Sequence, residues 1–338
     1  MCIKKHIIFE LITLVAAVIF AAEPMVTDVT AKQRYPWNGL VDITCRVSGI
    51  SGTTNGLYLT VAAVNSGITN NVFPLWLVQN GKKTINREVH TNGNYRLLWD
   101  ARAGLGAVIC SNMVLRVNIK EHKKVQLWAG GPYWATTNIG AEEPWEYGYY
   151  FWWGDTVGCR RENNAWFVTD GSSSNFSFEI GSTPTYGKSN ATMQSQGWIV
   201  AQNGTYVLAP EHDAAQVQWS GGWRMPTFQE LTDLNNNCDW AKTTLNSVNG
   251  YVVRGKGDFS VNSIFLPCAG LGSGNALDLS GLDGYCWSSV PYTFSSSYGF
   301  SSDYGYAYQL HFNSSSHSTD HLMRNAGRSV RPVQGFSE

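Results

Sequence analysis

Three histidines near the C-terminus are the first residues that could carry chemistry. His311, His317 and His321 are of the residue type that most often binds transition metals or transfers protons near neutral pH. The apolar residues at 310–312 predict a strand and the serines at 314–319 predict a loop, so the three imidazoles would lie on different elements. We therefore interpret them as solvated histidines and predict no metal site from them.

A second acid–base candidate is the tripeptide Glu211-His212-Asp213. Carboxylates are expected at the start of a helix because they complement the dipole of its amides, and this is the simpler interpretation. The chain contains no Gly-x-Ser-x-Gly elbow, zinc-protease motif or P-loop. The sequence therefore predicts a protein that is not an enzyme and that has no cofactor, with calcium the one ion left open.

Three aspartates provide the only calcium candidates. Asp278, Asp283 and Asp303 come from predicted loops around Trp287 and would supply the hard oxygen ligands that Ca²⁺ prefers. Aspartate is also a common turn residue, because its carboxylate accepts hydrogen bonds from nearby backbone amides. Turn capping is the favoured interpretation, and calcium binding by these side chains is the alternative.

An aromatic segment between residues 281 and 308 provides the best candidate for ligand binding. Its rings alternate with serine and glycine, a composition that also occurs in adaptable binding loops. Aromatic faces stack on sugar rings or peptide side chains, and hydroxyl groups add hydrogen bonds. The alternative is a structural role for the same rings. The predicted ligand-binding residues are Tyr292, Phe294, Tyr298, Phe300, Asp303 and Tyr304.

The cysteine spacing favours structural roles over metal or redox chemistry, since no C-x-x-C pair occurs. Cys45 and Cys110 stand alone in the first half and are the predicted disulfide pair. Four others could form bridges with three connectivities, which stay open, or could be buried thiols. These four are Cys159, Cys238, Cys268 and Cys286.

The N-terminus predicts export. Residues 4–6 are basic, residues 7–20 are mostly apolar, and Ala21-Ala22 follows, so residues 1–22 are interpreted as a secretory signal peptide. No second apolar stretch follows, so we expect no membrane span after cleavage and a secreted, surface-bound or periplasmic protein. The formal net charge of −1 and the scattered basic residues argue against a nucleic-acid partner.

Two patterns of elements position these residues. Alternating apolar residues in short runs at 41–47, 57–63, 72–78, 95–99 and 114–119 predict an antiparallel β-sandwich over residues 23–119. The charged segment 120–124 is the predicted boundary.

The region from 120 to 338 is predicted to be a separate α+β domain. Thr227-Phe228-Gln229-Glu230 is a capping box that starts a helix, and a second helix is predicted near Pro210. The predicted strands are 251–254, 263–267, 285–290, 307–312 and 329–333. We expect Arg224, Arg328 and Arg331 to stabilise this fold by pairing with buried carboxylates.

An ordered series of motifs in this second region resembles one family. The motifs are Gly221-Gly222-Trp223-Arg224-Met225-Pro226-Thr227, Gly250-Tyr251-Val252-Val253, Asn262-Ser263-Ile264-Phe265-Leu266-Pro267, Trp287-Ser288-Ser289 and Ser329-Val330-Arg331-Pro332-Val333. Residues 122–336 resemble the Fibrobacter succinogenes major paralogous domain, a relative of the formylglycine-generating enzyme and sulfatase-modifying factors. The resemblance implies a C-type-lectin-like fold of the sulfatase-modifying-factor type. Residues 29–39 resemble a bacterial β-sandwich leader, which implies an immunoglobulin-like domain.

The resemblance to formylglycine-generating enzymes also implies a reactive cysteine pair near the domain end, and this pair is absent because no cysteine follows Cys286. The Glu-Pro-Asn loop of calcium-dependent lectins is also absent; Glu143-Pro144-Trp145 is the nearest string. We therefore predict a non-catalytic binding or adhesion protein whose ligand is a glycan or a surface protein. A formylglycine-type oxidase and a structural surface-layer component are the alternatives.

Overall fold

The structure is a computed structural model that describes residues 23–36, 38–50, 56–65, 67–105, 113–173, 175–292 and 305–335. The predicted signal peptide at 1–22 lies outside these residues. The molecule is built mainly of antiparallel β-strands with short helices. In the part of the chain that the structure describes, no helix has the length and apolarity needed to cross a membrane.

The first region contains strands that form a five-stranded sheet, ordered β1-β2-β7-β5-β6, and a three-stranded sheet, ordered β4-β3-β8. Its elements are β1 (Met25–Gln33), β2 (Leu40–Ser48), β3 (Leu57–Asn65), β4 (Ile68–Asn71), β5 (Leu75–Gln79), β6 (Lys82–Thr84), β7 (Gly93–Asp100), α1 (Ala101–Leu105) and β8 (Val114–Glu121). In β2 the side chains of Ile43, Cys45 and Val47 are buried while those between them are exposed. This alternation turns one face of the strand into a core shared with β3, β5, β7 and β8.

The second region begins with a series of short strands and two short helices. These are β9 (Lys124–Gln126), β10 (Tyr133–Ala135), β11 (Cys159–Glu162), β12 (Ala165–Val168), α2 (Asn190–Ser195), β13 (Ile199–Gln202), β14 (Thr205–Leu208), α3 (Ala214–Trp219) and β15 (Trp223–Arg224). A 3-10 turn at Pro210–His212 precedes α3, so the helix predicted near Pro210 starts at Ala214. The buried Asp213 caps α3 by accepting hydrogen bonds from the amides of Ala215 and Gln216.

The remaining elements form the sheets on which the longest helix packs. They are α4 (Phe228–Asn237), β16 (Asp239–Leu245), β17 (Val248–Arg254), β18 (Ser263–Pro267), β19 (Leu271–Ser273), β20 (Ala276–Asp278), β21 (Gly284–Pro291), β22 (Tyr306–Phe312), β23 (His317–Met323) and β24 (Val333–Gln334). The sheets are β16-β17-β18, β21-β22-β23 and β15-β24-β10-β9. Every residue of β21 is buried. β22 pairs with one edge of the strand, Ser329 forms a bridge to Cys286 at the other edge, and α4 and β14 also contact it.

The capping box predicted at Thr227 is confirmed. The Thr227 hydroxyl accepts the amide hydrogen of Glu230, and the Glu230 carboxylate accepts that of Thr227. Arg224 donates to both oxygens of the same carboxylate at 2.7 and 2.6 Å. The expected pairing of Arg224 with a buried carboxylate is therefore also confirmed, and it ties α4 to β15.

Arg328 and Arg331 differ from expectation, because their partners in the described residues are not carboxylates. Arg331 is fully buried and donates to three oxygens on two segments, at 2.9 Å to Asn138, 3.0 Å to Ala135 and 2.9 Å to Phe265. The Arg328 guanidinium lies 3.9 Å from the centre of the Trp287 ring. Burial lowers the pKa of Arg331 to about 10 and that of Arg328 to about 9. These side chains connect segments that the short strands alone would leave loosely joined.

Hydrophobic cores divide the chain close to the predicted boundary. One cluster draws its buried residues from 43–117, and three further clusters draw theirs from 127–333. The charged segment predicted as the boundary lies largely within strands, because β8 continues to Glu121 and β9 begins at Lys124. Only two residues connect the strands, and the two regions are consequently held close together.

Candidate ligand-binding cleft

A cleft of about 390 Å³ lies between the two regions. The first region contributes β3 and β4 and the segment after β6, including Tyr58, Asn71 and Arg87. The second region contributes the turn at 140–150 and strand β11, including Tyr149 and Arg160. The volume falls within the usual range of small-molecule sites, about 300–1,000 Å³.

The end of the cleft is closed by a stack of rings centred on His122. The His122 imidazole lies between Tyr58 of the first region, with ring centres 4.1 Å apart, and Trp219 of α3, at 3.7 Å. Trp223 contacts the same imidazole edge-on at 6.2 Å. Burial, with a smaller effect of the Arg87 charge, lowers the pKa of His122 to about 3. His122 is therefore neutral at physiological pH and acts as an aromatic spacer that joins the two regions.

Polar contacts reinforce this junction. The Ser220 hydroxyl donates to Glu88 across the interface, and Lys120 forms an ion pair with Glu142. The Arg160 guanidinium lies over Phe73 of the first region, 3.6 Å from the ring centre. With the ring stack, these contacts hold the walls of the cleft in one arrangement.

Two glycines shape the wall that the second region provides. Gly140 and Gly148 both have positive φ, at 82° and 74°. A Cβ on Gly140 would lie 2.4 Å from the Tyr149 ring, and one on Gly148 would lie 2.3 Å from the carbonyl oxygen of Ile139. The Tyr149 ring can therefore lie directly on the backbone at 140, which turns its phenol towards the cleft.

The carboxylates that line the cleft are already engaged. Glu142 pairs with Lys120, and Glu146 accepts hydrogen bonds from the amides of Glu142 and Glu143 at 2.7 and 3.3 Å. Two of the three lining arginines are also engaged. Arg160 pairs with Glu162, and Arg161 donates to the carbonyl oxygen of Asn275 at 2.6 Å.

Arg87 differs from the other lining arginines. Its side chain is half-buried, and among the residues that the structure describes its guanidinium has no carboxylate or hydrogen-bond partner. The Arg87 charge lies near enough to Tyr58 and His122 to act on the ionisation of both rings. The cleft thus combines aromatic hydroxyl groups with one unpaired cation.

Of the predicted ligand-binding residues in the aromatic segment, the structure describes only Tyr292. The Tyr292 ring stacks on His321, with ring centres 3.6 Å apart, and contacts Tyr308 edge-on at 5.2 Å. The other predicted ligand-binding residues lie outside the described residues and stay predictions. They are Phe294, Tyr298, Phe300, Asp303 and Tyr304.

The calcium candidates have different surroundings. Asp278 is exposed on β20, whereas the Asp283 carboxylate lies 2.9 Å from Nε2 of His311 and 3.1 Å from the Tyr285 hydroxyl. Asp303 lies outside the described residues. Within the described part of the chain, no three His, Cys, Asp or Glu side chains are grouped in a way that could hold a metal ion.

The three C-terminal histidines each stack on a different aromatic ring. His311 lies on Tyr285 at 4.6 Å and His317 lies on Trp240 at 4.5 Å, while His321 stacks on Tyr292. The prediction that residues 314–319 form a loop is wrong from His317 onwards, because β23 pairs with β22 there. His311 and His317 are partly buried against these rings and differ from the expected solvated side chains, whereas His321 is exposed as expected.

The cysteines of the second region are buried thiols. Cys159, Cys238, Cys268 and Cys286 are free, so none of the three open connectivities is formed among them. Burial raises the pKa of Cys238, Cys268 and Cys286 to about 11, which makes these thiols poor nucleophiles. Cys45 is buried in β2 and Cys110 lies outside the described residues, so that disulfide stays a prediction.

Comparisons of this chain with protein-family models, with curated proteins and with solved structures found no match.

Sequence reasoning missed the cleft itself. Arg87, His122 and Tyr149 lie in separate segments, and none belongs to a motif with a known chemical role. The one local signal for the cleft was His122, which is the only aromatic residue in the charged boundary at 120–124. Its stacking partners, Tyr58 and Trp219, are far away in the chain and could not be inferred from spacing.

Proposed function

We propose that the protein is an exported, non-catalytic binding or adhesion protein whose ligand, a glycan or a surface protein, occupies the cleft between its two regions. The observation that carries this proposal is the preformed cleft with an unpaired Arg87 and partly exposed tyrosines. Concave sites with a few convergent polar groups are the usual form of small-ligand sites. Export is proposed from the basic and apolar N-terminal segment at 1–22.

We further propose the domain types that the sequence resemblance implies. Residues 23–119 would be an immunoglobulin-like sandwich, and residues 120–338 a C-type-lectin-like domain of the sulfatase-modifying-factor type. The two sheets around one core in the first region support the former, and the ordered motifs around α4 and β21 support the latter. Because such folds carry unrelated activities, the binding role depends on the cleft and not on the resemblance.

The absence of a reactive cysteine after Cys286 supports a non-catalytic role over formylglycine generation. That chemistry needs thiolates, and the buried cysteines of the second region have raised pKa values. Incubation with copper and a sulfatase-motif peptide should leave the peptide mass unchanged. Conversion of the peptide thiol to an aldehyde would contradict the proposal.

A cleft-blocking variant tests the binding role. Asn71 is exposed on β4 and lines the cleft, so Asn71→Trp should fill its mouth. Ile68 is exposed on the same strand outside the cleft, at 65 % of its full area, and Ile68→Trp is the matched control. On arrays of glycans and surface proteins, we expect wild type and Ile68→Trp to bind the same ligands and Asn71→Trp to lose at least tenfold in affinity.

Two outcomes on these arrays would contradict the proposal. One is no ligand above background for wild type that circular dichroism shows to be folded. The other is a ligand whose affinity is equal for wild type and Asn71→Trp, since such a ligand would bind elsewhere on the molecule.

A further inference from the structure

The unpaired charge of Arg87 has consequences for the kind of ligand that fits the cleft. A guanidinium forms two parallel hydrogen bonds with a carboxylate, and such bonds are among the strongest non-covalent contacts in a partly desolvated site. Arg87 lies in the cleft wall with its side chain half-buried and no such partner among the described residues. Its charge is therefore available to a ligand.

The other charged groups around the cleft do not compete for Arg87. The acids Glu142 and Glu146 are held by Lys120 and by backbone amides, respectively. The carboxylate of Glu162 is held by Arg160. The imidazole of His122 is neutral because it is buried in the ring stack. Arg161 donates to the carbonyl oxygen of Asn275. Arg87 is thus the one charged lining residue that has neither an ion-pair nor a hydrogen-bond partner among the described side chains.

The uncharged part of the wall fits a saccharide. Tyr58, Tyr147 and Tyr149 bring phenol rings to the cleft, and Thr60, Asn71 and Gln218 bring groups that can donate or accept hydrogen bonds. Sugar rings offer both features that such a wall recognises, since their C–H faces pack on aromatic rings and their hydroxyl groups exchange hydrogen bonds. An extended acidic peptide would instead gain most from a sheet edge or a row of cations.

We infer that the cleft binds an acidic saccharide, in which a sugar carboxylate pairs with the Arg87 guanidinium while the ring lies against the tyrosines. This inference rests on the proposed function and specifies its ligand class. A bound saccharide partly closes the cleft to solvent. If that saccharide is neutral, Arg87 loses contact with water and gains no carboxylate partner, so binding is weaker.

A panel of short uronate oligosaccharides tests this inference. The probes are trimers of galacturonate, mannuronate, guluronate and glucuronate and a hyaluronan tetrasaccharide, and each is compared with its methyl ester by isothermal titration calorimetry. The ester keeps the ring and the hydroxyl groups, removes the charge and adds one methyl group to each carboxyl group. We expect at least one acid to bind about tenfold to hundredfold more tightly than its ester, as for other charge-assisted hydrogen bonds. The difference should shrink as salt rises from about 50 to 300 mM.

Arg87→Gln removes the charge and should abolish the preference for the acid. Arg46 is exposed on β2 and does not line the cleft, so Arg46→Gln is a matched control that should bind like wild type. Arg87→Lys should restore part of the preference because it keeps the charge without the paired donors. The Arg87 side chain has no described partner, so these variants should fold, and circular dichroism checks that they do.

Several outcomes would overturn the inference. They are equal binding of every acid and its ester, an unchanged preference in Arg87→Gln, tighter binding of a hexaglutamate peptide than of any uronate, and no uronate binding at all. The proposed function is tested separately from this inference. It is still supported if the arrays reveal another ligand that wild type binds and Asn71→Trp does not, and it is contradicted if they reveal no such ligand.

Discussion

Glu88 provides a direct test of the junction between the two regions. It is buried, with 3 % of its area exposed, and its Oε2 accepts a hydrogen bond from the Ser220 hydroxyl. Its Oε1 has no partner among the described residues, and the imidazole Nε2 of His90 lies 3.5 Å from Oε2. Burial raises the pKa of Glu88 to about 7, against an ordinary value of 4.5. The folded protein therefore holds this proton more tightly than the unfolded chain does.

The direction of the pH effect follows from that difference. A carboxyl group whose pKa is raised by folding contributes its full stabilisation below the unfolded pKa and loses it as the pH rises through the folded pKa. The window is from about 4.5 to about 7. The shift corresponds to about 3 kcal/mol, and we expect about 2 kcal/mol after screening by solvent in the adjoining cleft. Ionised Glu88 thus weakens the junction above neutral pH.

The perturbation is Glu88→Gln, which keeps the shape of the side chain and removes its charge. Urea unfolding at several pH values between 4 and 8 measures the free energy of unfolding of each protein. We expect the variant to gain about 2 kcal/mol on wild type between pH 4.5 and pH 8, because only wild type must ionise a buried carboxyl group. Comparing the two proteins at each pH cancels the titration of all other groups.

The control is Glu121→Gln, which makes the same change at an exposed position on β8. Its stability relative to wild type should not depend on pH. A constant difference between wild type and Glu88→Gln across the range would refute the reasoning, and so would a gain at low pH. A constant difference would mean that folding leaves the pKa of Glu88 unchanged, and a gain at low pH would mean that folding lowers it.

Two further variants test the contacts that hold the second region together. Arg331→Met should lower the free energy of unfolding by about 3–5 kcal/mol, because three buried oxygens lose their donor, and a urea midpoint equal to that of wild type would contradict this. Asp213→Ala should cost about 3 kcal/mol, because its carboxylate accepts hydrogen bonds from the amides at 215, 216 and 225. Asp239→Ala makes the same change at an exposed position and is the control. If both variants unfold at the same midpoint temperature, the hydrogen bonds of Asp213 contribute little to stability.

Features with a local cause were predictable from the sequence. The capping box at Thr227 depends on residues three positions apart, and strand β18 occupies Ser263–Pro267 as its apolar run predicts. The alternation in β2 gave the correct buried face. In these cases the hydrogen bonds or the side-chain period are contained within one segment, so spacing alone carries the information.

Features that depend on contacts across the chain were not predictable. Arg331 was expected to meet a carboxylate, but it meets carbonyl and amide oxygens that short, twisted segments cannot satisfy among themselves. The predicted strand at 329–333 is reduced to a bridge at Ser329 and the short β24, and Pro332 within this segment has no amide hydrogen to donate to a ladder. His317 was placed in a loop because its serine-rich neighbours hide the pairing of β23 with β22.

The candidate site shows the same limit more clearly. Its residues come from both regions, which the ring stack at His122 and the polar contacts of the junction bring together. The sequence offered an aromatic loop as the binding element instead, of which the structure describes Tyr292. Recognition by that loop stays a prediction beside recognition by the cleft.

The two walls of the cleft belong to regions with separate hydrophobic cores, so the residues that contact a ligand can change without a change in the fold. Arg87 and Asn71 stand on strands and turns of one region, and Tyr149 and Arg160 stand on the other, while the neutral stack of His122 sets the spacing. Asn71 and Arg87 lie outside the hydrophobic cluster of their region. Descendants of a duplicated gene could therefore exchange Asn71 and Arg87 and acquire new ligands without a change in the core of the first region or in the ring stack at His122.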